Sequence, residues 1–309
     1  MALERKGIRV AARERIERNR SGLDRWMEDA GWLDGPADAV QKAVLAGYQS
    51  LGEFGQNLKN TLHGTRPLGH PLHPAVVSIP IGAFTVMFLG DWLGMFRAVP
   101  AEIGTFGLVI GLIGMLVAAA SGVTDYTGTA GKERRYASTH GLLMSAVLVA
   151  MLISLYLRYH PGSALYRDGV LLSTLAYLVM GFGSYLGGHL SFGFATMVNH
   201  NALREGTTEW TTVGAASRFS EGKMVRVMVG DMPALVVRLG GRLSAIAATC
   251  SHAGGPLDEG TLEGDVVTCP WHASRFCVSD GHVETGPATF AQPALLVVEE
   301  GGKVRLRMP

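Results

Sequence analysis

The chain is poor in cysteine and in charge. Its 309 residues contain three cysteines, and 17% of them are charged whereas 48% are hydrophobic. Basic residues exceed acidic ones by one, which gives no basis for a general nucleic-acid partner. Residues 1–20 are crowded with Arg and Glu and lack the apolar core of a signal peptide, so we expect no secretion. The low share of charge points instead to a membrane.

Four apolar stretches lie in the middle of the chain. With its flanks each reaches about 20 residues, enough at 1.5 Å per residue to cross ~30 Å of hydrocarbon. The connections, which contain Pro100, residues 132–135 and residues 161–162, do not suit lipid. Glycines at helical spacing permit close helix packing. The stretches are 76–96, 103–120, 142–157 and 170–186, and the glycines are Gly107, Gly111, Gly183 and Gly187.

Before these stretches, apolar residues recur every three or four positions over residues 37–62. This spacing predicts one amphipathic helix, which we expect at the membrane interface rather than against another part of the protein. The segment with Trp26 and Trp32 predicts a second, short helix. Basic residues flank the spans unequally, six on one side and three on the other, so both termini are expected in the cytoplasm. The six are Lys59, Arg66, Lys132, Arg134, Arg135 and Arg204, and the three are Arg97, Arg158 and Arg167.

Two loops near the C-terminus each offer one thiol and one imidazole. Cys250-Ser-His252 is followed, after sixteen residues, by Cys269-Pro-Trp-His272. This mixture is typical of a Rieske centre, in which two Cys hold one iron of a 2Fe-2S cluster and two His hold the other. A Cys2His2 zinc site uses the same ligands, but zinc motifs usually pair Cys with Cys and His with His. Gly254, Gly255 and Pro256 make a tight loop that also favours the cluster.

With Arg275-Phe276, Asp280-Gly281 and Gly286-Pro287-Ala288, these loops resemble the Rieske domain of the bacterial ferredoxin type over roughly residues 210–309. The resemblance implies a small all-β domain that relays single electrons. It implies that one iron binds Cys250 and Cys269 and the other binds His252 and His272. Short alternating apolar runs at 225–229, 234–239 and 295–298 independently predict strands there.

The sequence departs from the high-potential relatives in cytochrome bc complexes. Gly255 and Trp271 stand where those proteins carry two further, disulfide-bonded cysteines, and Phe276 stands where they have a tyrosine. Ser274 is retained, and Ala273 replaces the usual glycine. Fewer hydrogen bonds to the sulfurs generally lower the potential, so we expect the lower part of the Rieske range, whose floor is roughly −150 mV.

A second group of ionisable residues lies at the ends of the spans. His70 and His73 precede the first span, Asp125 ends the second, His140 opens the third and His189 closes the fourth, with His200 just beyond. All are expected at the cytoplasmic end, where such clustering indicates a site. His73, His140 and His189, with His70 and Asp125 nearby, could bind haem b, a nonhaem metal or a quinone. Singly, such histidines often only meet headgroups or cap helices.

The span region also resembles a bacterial membrane-domain family of unassigned function over roughly residues 68–200. The shared motifs are His70-Pro71-Leu-His73-Pro74, Pro80-Ile-Gly, and Gly187-Gly188-His189. This resemblance implies a bacterial inner membrane protein but no activity.

The sequence therefore predicts an α + β two-domain membrane protein, a four-helix transmembrane bundle followed by a small all-β Rieske domain. We expect an N-terminal helical region (1–67), the bundle (68–200), a linker (201–209) and the Rieske domain (210–309). Cys277 is left over, and an unpaired thiol beside unbridged loops suits a reducing compartment.

The expected function is electron transfer, as a carrier or oxidoreductase subunit rather than a complete enzyme. No Gly-x-Gly-x-x-Gly opens a helix, so a separate redox partner must supply electrons. An oxygenase would need a second iron domain, yet only residues 273–309 follow the loops. A tethered ferredoxin with an inert anchor and a redox sensor remain as alternatives.

Overall fold

The computed structural model describes residues 21–160 and 163–309, so the basic segment 1–20 lies outside the described residues. The first part of the chain is helical. Its helices are α1 (Gly22–Asp29), α2 (Asp34–Ser50), α3 (Gly52–His63), α4 (Leu72–Val76), α5 (Ser78–Met95), α6 (Glu102–Tyr126), α7 (Gly131–Tyr159) and α8 (Ser163–Phe194), with a 3-10 turn at Gly31–Leu33.

Among the described residues, four helical segments are long and apolar enough to cross a membrane, namely Leu72–Met95, Glu102–Tyr126, Gly131–Tyr159 and Tyr166–Phe194. Their core contains Phe84, Met87, Leu108 and Met151, which are fully buried. A Cβ atom on Gly107 would lie 2.6 Å from the backbone nitrogen of Met87, which shows how closely α5 and α6 approach. The expected four-helix bundle is confirmed.

The helices extend beyond the apolar stretches that predict them. Residues 132–135, expected in a connection, form the first turn of α7, where Arg135 binds Asp34 in α2 through two hydrogen bonds of 2.8 and 2.6 Å. The break in the first span falls at Val77, three residues before Pro80, which lies in the first turn of α5. Hydropathy alone therefore underestimates the length of these helices, because their polar ends are stabilised by contacts with other helices.

The expected single helix over 37–62 is two helices, which separate at Leu51 because Gly52 has a left-handed φ of 57°. Polar side chains attach α2 to the end of the bundle. Gln41 donates to the carbonyl of Thr127 at 2.9 Å, and the hydroxyls of Tyr48 and Thr124 lie 2.6 Å apart. The two helices therefore cover the end of the bundle, although Phe54 on α3 remains 68% exposed. The expectation of a single helix was wrong, whereas the location of its apolar face at the membrane interface stays a prediction.

Arg158 was expected among the charges flanking the spans on the far side. Its guanidinium instead lies inside the bundle, where it binds the carboxylate of Asp91 at 2.7 and 2.5 Å and the hydroxyl of Ser173 at 2.8 Å. Both charged side chains are almost completely buried. A charge in hydrocarbon is tolerated when it is paired in this way, so Arg158 contributes to bundle packing.

The C-terminal domain consists of two antiparallel sheets. The strands are β1 (Thr211–Ala215), β2 (Val225–Val229), β3 (Met232–Leu239), β4 (Arg242–Ala247), β5 (Thr261–Glu263), β6 (Val266–Thr268), β7 (Arg275–Cys277), β8 (Val283–Thr285), β9 (Ala294–Glu300) and β10 (Lys303–Arg307). The larger sheet has the order β1-β10-β9-β4-β3-β2 and the smaller the order β5-β6-β7-β8. Strands β2, β3 and β9 confirm the three predicted runs.

The β domain lies against the end of the bundle where α6 finishes and α7 begins. The side-chain oxygen of Asn60 on α3 accepts from the N–H of Gly286 at 3.2 Å, and Thr65 donates to the carbonyl of Ala288 at 2.9 Å. On the other side, Asn201 donates to the carbonyl of Thr249 at 2.8 Å. These contacts bring the two Cys/His loops to the bundle.

Candidate functional site, a cluster of two thiols and two imidazoles

The loop after β4 carries Cys250 and His252, and the loop after β6 carries Cys269 and His272. Each loop is closed by its own backbone. The N–H of Cys250 donates to the carbonyl of Gly255, and that of Cys269 donates to the carbonyl of Ser274, both at 2.8 Å. Such short closed loops hold side chains from two strand ends at one place.

The four side chains converge as two like pairs. The thiols of Cys250 and Cys269 are buried and hydrogen-bonded to each other. The rings of His252 and His272 lie 5.0 Å apart at 86°. The Nδ1 atoms of both rings are buried without a hydrogen-bond partner. Buried nitrogens of this kind are costly unless they bind something, so the donor set fits a group held between thiols and imidazoles.

The spacing of these donors separates a two-iron group from one zinc ion. Tetrahedral zinc holds sulfur and nitrogen ligands less than about 4 Å from one another. Within residues 21–160 and 163–309, the only three Cys, His, Asp or Glu donors that all lie within 4.8 Å of one another belong to Cys277, Asp280 and His282. The four loop residues are therefore spread too widely for a single zinc ion.

Comparison with known proteins agrees with this geometry. The family described as Rieske [2Fe-2S] domain matches residues 209–297. The ferredoxin component of biphenyl 2,3-dioxygenase from Rhodococcus jostii (strain RHA1) is 38% identical over 94 residues, which are 30% of this chain and 88% of that protein. The chain belongs to the Rieske [2Fe-2S] family. Its cofactor is accordingly a 2Fe-2S cluster.

The Rieske domain is also similar to a second ferredoxin and to a chain of a solved complex. Ferredoxin CarAc from Metapseudomonas resinovorans is 38% identical over 96 residues, or 31% of this chain and 90% of that protein. A solved complex of reduced oxygenase and oxidized ferredoxin in carbazole 1,9a-dioxygenase contains a chain that is 36% identical, with a TM-score of 0.31 and coverage of 33% of this chain and 94% of that chain.

The bundle has its own match. The family described as "Predicted membrane protein (DUF2231)" covers residues 69–200, in agreement with the four apolar helices. The Rieske domain is therefore fused to a membrane domain.

The hydrogen bonds around the cluster loops reflect the sequence departures. The hydroxyl of Ser274 accepts from the N–H of Ala288 at 3.0 Å, which leaves its own O–H free to donate. Ala273 has a left-handed φ of 58°, the conformation that the usual glycine adopts without cost. A Cβ atom on Gly255 would lie 2.9 Å from the Sγ of Cys269, so this position has little room for a side chain.

Of the bundle histidines, the structure brings together His73 and His140. Their rings lie 6.4 Å apart at 82°. The Nδ1 of His73 donates to the carbonyl of Ala118 and that of His140 donates to the carbonyl of Gly183, both at 2.8 Å. These backbone bonds leave the Nε2 atoms for a ligand.

The other members of the expected group have different partners. His189 stacks on Tyr136 at 4.6 Å, and His70 faces Phe290 of the Rieske domain at 6.3 Å. Asp125 pairs with His63, whose Nδ1 lies 2.8 Å from its Oδ1. His63 was not predicted as a site residue, although its position directly after the predicted amphipathic helix was a usable signal.

The histidine edge of the cluster site does not face open solvent. His252 and His272 are half-buried and line a cavity of about 410 Å³ between the Rieske domain and the bundle. The opposite wall comes from the ends of α6, α7 and α8. Its lining includes Asp125, Gly128, Glu133, Phe194, Met197 and His200. A redox group at the loops would therefore lie next to the end of the membrane domain.

Cys277, the remaining thiol, lies at the end of β7 and is buried. Its Sγ is 3.0 Å from the hydroxyl of Ser279. Nearby, His282 binds Asp280 through Nδ1 at 2.7 Å and Glu284 through Nε2 at 2.5 Å. These carboxylates raise the pKa of His282, Asp280 being the stronger influence.

Proposed function

We propose that this Rieske protein is a membrane-anchored electron carrier that exchanges single electrons with a redox partner protein. In this proposal Cys250 and Cys269 hold one iron, and His252 and His272 hold the other through their Nδ1 atoms. When bound, the cluster supplies one-electron oxidation and reduction. The ferredoxin relatives support a reductase or an acceptor as the partner, because ferredoxin components belong to multi-protein electron-transfer systems.

One observation carries the proposal: two buried, unpartnered imidazole nitrogens stand beside a pair of buried thiols at the end of a membrane bundle. A soluble carrier has no need of that location. The half-buried rings of His252 and His272 face the bundle, so electrons exchanged through the histidine edge pass the cavity that separates the two domains.

The proposed setting is the bacterial inner membrane, with both termini in the cytoplasm. The basic residues on the domain side of the bundle support this orientation. The proposed units are the helical region 1–67, the bundle 68–200, the linker 201–209 and the Rieske domain 210–309. In the cytoplasm, unbridged cluster loops and the free thiol of Cys277 are chemically stable.

A second redox group in the bundle is the finer part of the proposal. His73 and His140 lie on different helices and have free Nε2 atoms, so these two residues would hold haem b or donate a hydrogen bond to a quinone. The ring of His189 instead stacks on that of Tyr136, with 4.6 Å between the ring centroids. The competing functions are a ferredoxin with an inert anchor and a redox sensor.

Optical and electron paramagnetic resonance spectra of the detergent-purified protein, oxidised and after dithionite, test the proposal. A Rieske signal with stoichiometric iron and sulfide is the expected result. Haem bands or a second metal would establish the bundle group, whereas a Rieske signal alone would reduce the bundle to an anchor. A protein with bound zinc and no Rieske signal would overturn the electron-transfer function.

A further inference from the structure

We infer that the hairpin between β7 and β8 carries a zinc site of its own, formed by the thiolate of Cys277, a carboxylate oxygen of Asp280 and the Nδ1 of His282. The site is separate from the cluster loops. Cys277 pairs with Val266, which precedes Cys269 by three residues on the neighbouring strand, so the two thiols are about 10 Å apart along the sheet. A zinc ion at this place is independent of the proposed electron transfer.

The backbone of the hairpin brings these three side chains together. The N–H of Cys277 donates to the carbonyl of His282 at 3.0 Å, and the N–H of Gly281 donates to the carbonyl of Cys277 at 2.9 Å. Gly281 has a left-handed φ of 78°, and a Cβ atom there would clash with the carbonyl of Gln292. The turn is therefore tightly constrained, and an ion that binds to it has little backbone left to order.

The donor atoms are close enough for one ion. Those of Cys277, Asp280 and His282 lie within 4.8 Å of one another, which is true of no other such trio in the two described ranges. Tetrahedral zinc holds its ligand atoms less than about 4 Å apart, so side-chain shifts of about 1 Å bring the trio around an ion. A fourth ligand is at hand, because the Oδ2 of Asp265 lies 3.7 Å from the Sγ of Cys277.

His282 is oriented as a metal ligand. Its Nδ1 faces Asp280 at 2.7 Å, and its Nε2 lies 2.5 Å from the Oε1 of Glu284. A carboxylate on the far nitrogen is the common arrangement behind a zinc-bound imidazole, since it keeps the proton on that nitrogen and leaves the other one for the metal. Glu284 is therefore a positioning residue for His282.

The donor types favour zinc over other biological ions. Mg²⁺ and Ca²⁺ take oxygen ligands, whereas this site also offers sulfur and nitrogen. Mn²⁺ and Fe²⁺ bind such mixed sites less tightly than zinc, and Cu(I) prefers softer sets than one thiolate among carboxylates. A closed set of four protein ligands is typical of structural zinc. The ion would join the turn between β7 and β8 to Asp265 in the turn between β5 and β6.

The test measures zinc binding by the tag-free, cluster-loaded full chain after dialysis against EDTA. Equilibrium dialysis with Zn²⁺ alone gives the Kd, and zinc, iron and sulfide are counted on the same sample. X-ray absorption at the zinc edge then identifies the ligands. The chain has three cysteines. Because an intact cluster occupies Cys250 and Cys269, one zinc–sulfur distance of about 2.3 Å identifies Cys277.

The variants are Cys277→Ser, Asp280→Asn and Glu284→Gln, and the matched control is His160→Gln, an exposed histidine at the end of α7. We expect Cys277→Ser to lose the zinc–sulfur distance and to raise the Kd by about a hundredfold or more. Glu284→Gln should keep that distance and raise the Kd about tenfold. The side chain of Asp280 is 62% exposed, so Asp280→Asn tests the site even where Cys277→Ser disturbs the fold.

One zinc per two irons, with a single sulfur ligand that Cys277→Ser removes and the control retains, supports the inference. A wild type that retains no zinc, a zinc spectrum with only nitrogen and oxygen ligands, or equal binding by Cys277→Ser and Asp280→Asn overturns it. With iron, sulfide and the Rieske signal intact, these results leave electron transfer standing. Zinc that replaces the iron and has two sulfur ligands would lie at the cluster loops, and it would overturn both the hairpin site and the proposed function.

Discussion

The imidazole of His63 donates from Nδ1 to the Oδ1 of Asp125 over 2.8 Å, and this bond joins the end of α3 to the end of α6 beneath the cluster loops. His63 is completely buried. Burial, assisted by the nearby charge of Lys59, lowers the pKa of His63 to about 3, so the ring is neutral at physiological pH. The pair therefore joins the N-terminal helices to the bundle.

Removing either partner of this pair is expected to destabilise the protein. His63→Ala and Asp125→Ala each leave a buried polar group unpaired, which costs roughly 1–3 kcal/mol. The double variant should cost less than the sum of the two, because the interaction is lost only once. Denaturant unfolding in detergent measures the free energies of this double-mutant cycle. His160→Ala is the control, because His160 is exposed at the opposite end of the bundle. Strict additivity would show that the two side chains act independently.

Each of the four proposed ligands is expected to be essential for the cluster. Replacing Cys250, His252, Cys269 or His272 by alanine should abolish the Rieske signal and the bound iron, since three remaining donors cannot complete the site. Cys277→Ser should keep both, because its sulfur binds Ser279 rather than the loops. Iron and sulfide analysis with electron paramagnetic resonance decides this. A signal that survives in any of the four alanine variants contradicts the assignment.

The sequence predicted the two domains and the cluster loops because their signals are local. Four apolar stretches are long enough to span a membrane by composition alone, and Cys250 and His252 lie within one turn. The docking of the domains is different, because it depends on contacts such as Asn60 with Gly286, more than 200 residues apart in the chain. No periodicity reports that proximity.

The bundle histidines show the same limit. From the positions of ionisable residues at the span ends, Asp125 was expected in one group with His73 and His140. Its hydrogen-bond partner is instead His63 on α3, outside the spans. Arg158 looked like a flanking charge because the sequence does not show that Asp91 lies opposite it. Side-chain partners across helices depend on how each helix is rotated, and this rotation is set by packing such as that of Gly107 on Met87.

Ser274 is expected to raise the cluster potential, because its free O–H is available to donate toward the site. A hydrogen bond that favours the reduced state by roughly 0.5–1.4 kcal/mol corresponds to roughly 20–60 mV for one electron. Ser274→Ala should lower the potential by that amount, and Phe276→Tyr should raise it if the new hydroxyl reaches a sulfur. Redox titration measures both, with Ser244→Ala on β4 as control. An unchanged potential in Ser274→Ala would place its hydroxyl outside the cluster's environment.

His282 gives a defined pH dependence of stability. Asp280 and Glu284 raise its pKa above 6.5, so the folded state binds the proton more tightly than the unfolded state. Its contribution is complete below about pH 6.5 and is lost as pH rises through the folded-state pKa. The side chain is 44% exposed, so the effect stays below about 1 kcal/mol. The Tm difference between the wild type and His282→Gln should therefore shrink from pH 6 to pH 9. A pH-independent difference would refute the linkage.

The pair His73 and His140 decides whether the bundle carries a redox group. If it does, His73→Ala and His140→Ala should each lose the second chromophore or metal while the Rieske signal persists. Gly187→Ala is the subtler variant, because its Cβ atom would lie 3.2 Å from the Cε1 of His140 and displace the ring without removing a ligand. Gly187→Ala should shift the absorption spectrum of the group bound in the bundle and leave the reduction potential of the cluster unchanged. His160→Ala serves as control, since it lies at the other end of α7. Equal electron-transfer rates in these three variants and the control would show that the bundle only anchors the Rieske domain.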